Sequence, residues 1–338
     1  MSKGTARGPA RLADVASAAG VGTSIVSRVL NDDPTVSIRP ETRERILAAA
    51  RRLNYRPNAL GRGLKLARTM TLGLVVNLAY GEVGEIVSAV ERRAAEADYT
   101  TLIADANAFV ERGDTYGRLL HEGRVDGLLI ASGLANDELV RGLRGKGTPF
   151  VLLNRQLTGI EPSVTVDDGL GARKGVEHLL GLGHRRIAMV GDDPAIFTAR
   201  ERRTGFCEAL TAAGIEPDDA LVRIGAHDTA AAEQVTRELL ALPNPPTALF
   251  AGNNRIATGV LRALAATGRE LALVSFDDLE LGDLLSMPVT AIAYDAAELG
   301  RCAAELLARR LDGDRRPPEL VVLPTTLIPR GEPKVAAA

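Results

Sequence analysis

The chain of 338 residues contains no Trp, only 3% aromatic residues, two Cys and four His. With so few large rings, its cores have to be assembled from Ala, Leu, Val and Ile, and an apolar content of 46% supplies them. Cys207 and Cys302 stand far apart, without metal or disulfide spacing, each among apolar residues where a reduced, buried thiol is expected. No run of about 18 apolar residues occurs, and Met1 to Ala10 lacks the apolar stretch of a secretory signal. A cytoplasmic protein with no membrane partner is therefore expected. No P-loop pattern occurs and no Gly-x-Gly-x-x-Gly follows the first strand. No Ser/His/acid or metal-ligand cluster has usable spacing either. The expectation is a protein with no catalytic residues, no metal and no cofactor.

The charge is distributed unevenly. The net charge of −2 hides a basic head: residues 1–69 hold 13 Lys and Arg against five Asp and Glu, a balance of +8, which leaves −10 for the rest. A small basic head on an acidic body implies that the head meets a polyanion and the body does not.

Residues 11–56 read as three short helices. In the first, Leu12, Val15, Ala16 and Ala19 recur at helical spacing, and Gly20 stops it. After the turn Ala19-Gly20-Val21-Gly22, the stretch Thr23 to Leu30 puts Val26, Val29 and Leu30 on one face. Thr23, Ser24, Ser27 and Arg28 lie away from that face. The third helix runs from Pro40 to about Leu53, with Ile46, Leu47, Ala50 and Leu53 closing a small core. Two helices joined by a tight Gly-containing turn, the second displaying small polar and basic side chains, form a helix-turn-helix pattern. Thr23 and Ser24 can reach base edges, Arg28 can bind guanine through two hydrogen bonds, and Ser27 suits a phosphate oxygen. The partner expected from these residues is double-stranded DNA. One such helix reads too few base pairs for genomic specificity, so a homodimer on a palindromic site is expected.

From residue 71 the pattern changes to short apolar runs alternating with amphipathic helices. Strands are predicted at 72–76, 100–104, 127–131, 150–153, 186–190, 247–251, 271–275 and 289–293. Helices are predicted near 83–97, 111–121, 136–145, 168–182, 199–213, 229–241, 254–267 and 295–311. This βαβ alternation predicts parallel sheets covered on both faces, and so many crossovers suit two lobes better than one sheet. The expected fold class is α/β: an all-α helix-turn-helix domain followed by two doubly wound parallel lobes. The predicted domains are the head at 1–56, a hinge and linker at 57–69, one lobe at 70–165 and a second at 166–295. Residues 296–323 would complete the first lobe, and 324–338 the second.

Several ordered segments carry a resemblance: Asp14-Val15-Ala16, Ala19-Gly20-Val21, Val26-Ser27-Arg28-Val29-Leu30-Asn31, Glu41-Thr42-Arg43 and Asn54-Tyr55-Arg56-Pro57-Asn58. Together they resemble the LacI/GalR family of repressors, and the resemblance runs from Leu12 to Arg330. It implies an operator-binding head and a periplasmic-binding-protein-like type I body that senses a small-molecule effector, most often a sugar. Thr23 and Ser24 match the family's base-reading positions and Arg28 a further reader. Asn58 falls within the matched segment that leads into the hinge. Leu64 matches the hinge leucine that wedges between base steps from the minor groove, followed by Lys65. Gly22, Ile25, Gly61 and Gly63 depart from the usual Ser, Thr, Ala and Ser. Each hinge glycine lowers helix propensity by about 1 kcal/mol.

In the body, Glu177-His178-Leu179-Leu180, Leu182-Gly183-His184-Arg185-Arg186, Arg200-Glu201-Arg202, Gly252-Asn253-Asn254 and Phe276-Asp277-Asp278 also match. By that match Arg202, Asn253 and Asp277 are effector-binding candidates, and Asn154 and Arg155 stand where an Asp-Arg pair is common. Asn77, Phe197 and Tyr294 complete the candidate set. Asn253 is equally readable as a helix N-cap, and Asp277 as the cap of the next element. Arg202 is also readable as a surface partner of Glu201 or Glu208. His178 and His184 match structural positions. The first pocket loop, Asn77 to Gly84, departs from the family's usual Asn-Pro-Phe-Phe. A periplasmic sugar-binding protein would share the body but neither the basic head nor the missing signal.

Overall fold

The computed structural model describes residues 10–31, 33, 35–55, 68–106, 122–131, 137–145, 147–157 and 161–331. Two units divide at Thr69.

In the head, α1 (Leu12–Ala19), α2 (Thr23–Leu30) and α3 (Pro40–Arg52) close on Val15, Ala16, Ala19, Val26, Val29, Ile46, Ala49 and Ala50. The Asp14 carboxylate accepts the Arg11 backbone N–H at 2.7 Å, satisfying a donor that the first turn of α1 leaves free. Gly20 ends α1 at φ 67°, a left-handed conformation that favours glycine. From α3, Arg45 Nε donates to the Ala19 carbonyl at 2.9 Å, so a charge-assisted bond caps the C-terminus of α1 and ties the first helix to the third. Leu47, expected in this core, is 37% exposed; Ala49 takes the inward position instead, because the buried face of α3 runs through Ile46, Ala49 and Ala50.

The body contains two six-stranded sheets. One takes β1 (Thr71–Val76), β2 (Thr100–Asp105), β3 (Gly127–Ala131), β4 (Phe150–Leu153), β5 (Ser163–Val166) and β11 (Leu320–Leu323), in the order β11-β5-β4-β3-β1-β2. The other takes β6 (Ile187–Val190), β7 (Val222–Arg223), β8 (Ala248–Ala251), β9 (Ala272–Phe276), β10 (Thr290–Ala293) and β12 (Thr326–Ile328), in the order β12-β10-β9-β8-β6-β7. Every pairing is parallel except that of β10 with β12. The buried strands are almost wholly apolar, as parallel strands covered on both faces must be.

Helices cover these sheets: α4 (Val83–Glu96), α5 (Asp137–Gly145) and α10 (Ala296–Leu311) serve the first, and α6 (Asp168–Gly181), α7 (Phe197–Ala212), α8 (Thr229–Leu240) and α9 (Asn254–Thr267) the second. The helix predicted at 111–121 lies outside the described residues. The chain passes between the sheets three times, after β5, after β10 and after β11. Four strands escaped the sequence reading: β5, β7, β11 and β12. They are two to four residues long or lie at sheet edges, too short for a period to show. Among the described residues no helix is long and apolar enough to cross a membrane.

Helices α6 and α7 cross so closely that a Cβ at Gly205 would collide with the Gly169 carbonyl, a backbone atom that cannot turn aside. Gly205→Ala is expected to cost about 3 kcal/mol, read as a lower denaturant midpoint. A variant as stable as the parent would show that the two helices can part.

Candidate functional site

The second head helix presents a polar face. Thr23, Ser24 and Arg28 are exposed on α2 while Val26 and Val29 are buried beneath them. Ser27 is half-buried, and its carbonyl accepts from Asn31 Nδ2 at 2.6 Å, which closes the end of the helix. Gly22 serves as N-cap with extended backbone and no side-chain bond, so the first-turn N–H groups of α2 are not consumed by a cap side chain. Thr23 and Ser24 thus stand at an amide-rich helix start, and Arg28 lies one turn on. This arrangement suits an anionic, edge-bearing partner. Asn58, Leu64 and Lys65, together with Gly61 and Gly63, lie outside the described residues.

In the body, parallel strands bring their C-terminal ends together. The residues that follow those ends line a cavity of about 260 Å³ between the two sheets. Asn77 follows β1 and Asn154 follows β4; from the other sheet come Asp192 after β6, Asn253 after β8, Asp277 after β9 and Tyr294 after β10. Asn154 (φ 49°) and Asp277 (φ 62°) hold left-handed backbone there, a conformation that Asn and Asp tolerate better than other side-chain-bearing residues. Non-glycine residues in this region commonly mark ligand sites.

At the floor lies Arg202 on α7, buried at 5% exposure. Its Nε donates to Asp168 Oδ1 at 2.7 Å, and one terminal nitrogen donates to the Gly252 carbonyl at 2.7 Å and to Asp277 Oδ2 at 3.4 Å. The guanidinium also lies 3.6 Å from the centre of the Phe276 ring. Burial alone would lower its pKa, but Asp277 and Asp168 overcome that and hold it charged. The surface pairing with Glu201 or Glu208 is not found: Glu201 pairs with Arg200, and Glu208 with Arg173. Spacing along one helix could not reveal partners delivered by α6 and β9.

The acids around Arg202 are desolvated. Burial pushes the Asp168 carboxyl up to about 6 despite the guanidinium beside it. Burial raises Asp277 as well, opposed by Arg202. Burial and then the Asp277 charge push Glu82 up to about 7, although its Oε2 accepts from Asn254 Nδ2 at 2.9 Å. The Tyr80 hydroxyl is pushed up to about 12, mainly by burial, and Arg255 lies 5.5 Å above its ring. Asn154 Nδ2 donates to Tyr294 Oη at 3.4 Å, a bond from one lobe to the other.

Six of the eight effector candidates, Asn77, Asn154, Arg202, Asn253, Asp277 and Tyr294, share this cavity. Arg155 and Phe197 do not: they line an adjoining pocket of about 730 Å³ with Asn154, Arg141, Arg144 and Arg200. Arg155 is one residue further from the strand end than Asn154, and Phe197 opens α7 on the pocket's side. Asn253 is both things at once, for its Oδ1 caps α9 by accepting from Ile256 N at 2.9 Å while the residue lines the cavity. His184 is buried with Nδ1 3.0 Å from Thr247 Oγ1, a structural contact. The sequence reading missed Glu82, Asp168, Asp192 and His227. The rule that strand ends line the cleft would have found Asp192, two residues past β6, whose Oδ1 lies 3.0 Å from His227 Nδ1. Glu82 and Asp168 carried no comparable signal.

A helix-turn-helix head followed by a two-lobed body with a polar cavity at its strand ends is the architecture of a ligand-sensing regulator. Residues 11–58 match the model for bacterial regulatory proteins of the lacI family, and residues 176–331 that for a periplasmic binding protein-like domain. The chain is 33% identical over 329 residues to the HTH-type transcriptional regulator CelR of Thermobifida fusca, covering 94% of this chain and 96% of that one. It is 30% identical to the ribose operon repressor of Escherichia coli strain K12, covering 95% and 99%. Among solved structures, the lac repressor dimer bound to operator and the anti-inducer ONPF superposes with a TM-score of 0.86 at 28% identity, covering 97% of this chain and all of that one. A CelR–cellobiose complex gives 0.73 at 32% identity, covering 95% and 99%. The chain belongs to the LacI family of bacterial transcriptional regulators.

Because the folded cleft raises the Glu82 carboxyl, the native protein holds that proton more tightly than the unfolded chain. The stability it contributes is complete below the ordinary value of 4.5 and is lost as pH rises through about 7. The melting temperature of Glu82→Gln is therefore expected to fall less than that of the parent across this window. Parallel slopes for the two proteins would assign the titration to other groups.

Proposed function

We propose that this protein is a sequence-specific DNA-binding repressor that reads a palindromic operator as a homodimer and is modulated by a small, sugar-like effector held between the body's lobes. The observation that carries this reading is one chain joining two features. The first is a helix with Thr23, Ser24 and Arg28 exposed over a buried apolar face; the second is a cavity where six polar side chains converge from two sheets. On this reading Thr23, Ser24 and Arg28 meet base edges, and Ser27 and the start of α2 meet phosphate. Asn58, Leu64 and Lys65 continue the DNA contact through the hinge.

The cavity suits a polyol. Its size, about 260 Å³, lies just below the usual range of about 300–1,000 Å³ for small-molecule sites, and its lining mixes carboxylates, amides and two guanidinium groups with the Tyr80 and Tyr294 side chains. Solved relatives described with a sugar or an operator, the CelR–cellobiose complex and the operator-bound lac repressor dimer, support both halves. Bonds that cross between the lobes, Glu82 to Asn254 and Asn154 to Tyr294, give an effector something to compete with. Binding that favours one lobe arrangement shifts the population of DNA-competent dimers by that difference in affinity.

Pairing of two copies is supported by the connection from β9 to β10. There Leu281 is 61% and Leu284 74% exposed, with Leu285 beside them. Exposed leucines this close together in sequence suit a protein interface better than they suit water.

Two outcomes test the reading. Selection from a random duplex pool is expected to return a palindrome, and Arg28→Ala is expected to relax preference at one symmetric base pair, costing about 1–3 kcal/mol there. A uniform loss across sequences would make Arg28 a phosphate contact, and no retained duplex at low salt would remove the DNA-binding function. Leu284→Asp is expected to shift the protein toward monomer in sedimentation and to weaken operator binding at least about tenfold. A dimer unaffected by that change would place the interface elsewhere.

A further inference from the structure

The unmet hydrogen-bonding capacity around the cleft has one sign: Asn154 and Asp277 line the cavity itself, Asp168 and Asn254 the pockets that adjoin it. Among the described residues, the buried side-chain atoms without a hydrogen-bond partner include Asp277 Oδ1, Asp168 Oδ2, Asn254 Oδ1 and Asn154 Oδ1. All four are acceptors, and all four belong to residues around the interlobe cleft. No orphaned donor accompanies them there; the one unpartnered nitrogen, Arg309 Nε, belongs to α10. A buried acceptor left unmet costs about 1–3 kcal/mol, so a ligand that completes this site has to bring donors.

Charge narrows the class. Glu82, Asp192 and Asp277 line the cavity, and Asp168 stands behind Arg202. The cations lining this cavity are Arg202 and Arg255, with His227, whereas Arg141, Arg144, Arg155 and Arg200 line the adjoining pocket on the far side of Asn154 and Asp168. Arg202 already bonds Asp168, Asp277 and the Gly252 carbonyl, and Arg255 lies over Tyr80. An anionic ligand in this smaller cavity would face three carboxylates and find the Arg202 guanidinium already engaged. A cationic group would meet Asp277, 5% exposed with Oδ1 unpartnered, and the neighbouring Glu82. Tyr294 lines the same space as Asp277 and Glu82.

We propose that the effector is an amine-bearing polyol of the amino-sugar class, its ammonium group lodged between Asp277 and Glu82 and its hydroxyls donating to Asn154 and Asn254. This deepens the effector reading above and rests on it.

The test uses the full chain and calorimetric titration with glucosamine, galactosamine and mannosamine, each beside its parent hexose, and with glucose 6-phosphate as the anionic probe. The pH is held at about 7, where the amines are still largely protonated and Glu82 is partly ionised. At least one amino sugar is expected to bind about tenfold tighter than its parent, equivalent to about 1.4 kcal/mol. Glu82→Gln, which keeps the shape and the Asn254 contact, is expected to remove most of that preference, and Asp277→Asn the remainder. Equal binding of amine and parent, tighter binding of glucose 6-phosphate, or no binding by any amine would overturn the proposal. A parent hexose that binds without preference leaves the polyol-effector reading standing, whereas silence from every probe counts against that reading too. Operator binding measured on the same samples judges the head independently.

Discussion

The body is organised around one buried guanidinium. A charge taken out of water is tolerated only when paired and fully hydrogen-bonded, and removing one partner of such a pair typically costs about 3–5 kcal/mol. Arg202 meets that demand with Asp168 from the first residue of α6, Asp277 from the end of β9, the Gly252 carbonyl from the end of β8 and the Phe276 ring beneath. Four elements are thereby held in mutual register. The arrangement has a chemical consequence: Arg202 takes one oxygen of each carboxylate and leaves the other without a partner. The interaction that stabilises the lobe is also the one that orients Asp277 toward the cavity.

The three crossings between sheets put that cavity where it can act. One apolar cluster runs on from the first sheet to the second, with further layers on the other face of each, and the polar residues at the strand ends belong to both sides of the cleft. Contacts that cross the cleft include Glu82–Asn254, Asn154–Tyr294 and Arg255 over the Tyr80 ring, and each hydrogen bond among them is worth about 1 kcal/mol net. That is the scale on which a small ligand can redistribute a two-state population, since a few kcal/mol of differential affinity move an equilibrium by two or three decades.

The fold was largely legible from period alone. The three head helices and eight of the body strands announced themselves through 3.6-residue spacing or short apolar runs, as Val26 and Val29 do in α2 and Ile187 to Val190 in β6. What escaped had no period to show: β7 has two residues, and β12 joins its sheet as an antiparallel edge. Leu47 misled because an apolar residue beside a buried stripe is not always inside it. At the cavity, residues directly following strands were readable by position. Glu82 and Asp168 were not, because their importance lies in burial and in partners distant in sequence: 172 residues separate Glu82 from Asn254, and 34 separate Asp168 from Arg202. Resemblance marked Arg202 as important, and only the fold revealed what it holds.

The two polar surfaces differ in what they owe to stability. Thr23, Ser24 and Arg28 are exposed, and the head closes on Val26, Val29 and Ile46 whatever stands at those positions. Exposed substitutions of this kind usually change stability by less than about 0.5 kcal/mol, so the face of α2 can be rewritten without unfolding the head. The cleft has no such freedom. Asn253 caps α9, Asp277 neutralises Arg202, and both border the cavity. A change there alters fold and recognition together. Marginal stability leaves little room for such changes, and compensating ones have to arise in the same network. In this architecture the polar face of α2 is the easily altered surface, and the polar network of the cleft is the constrained one.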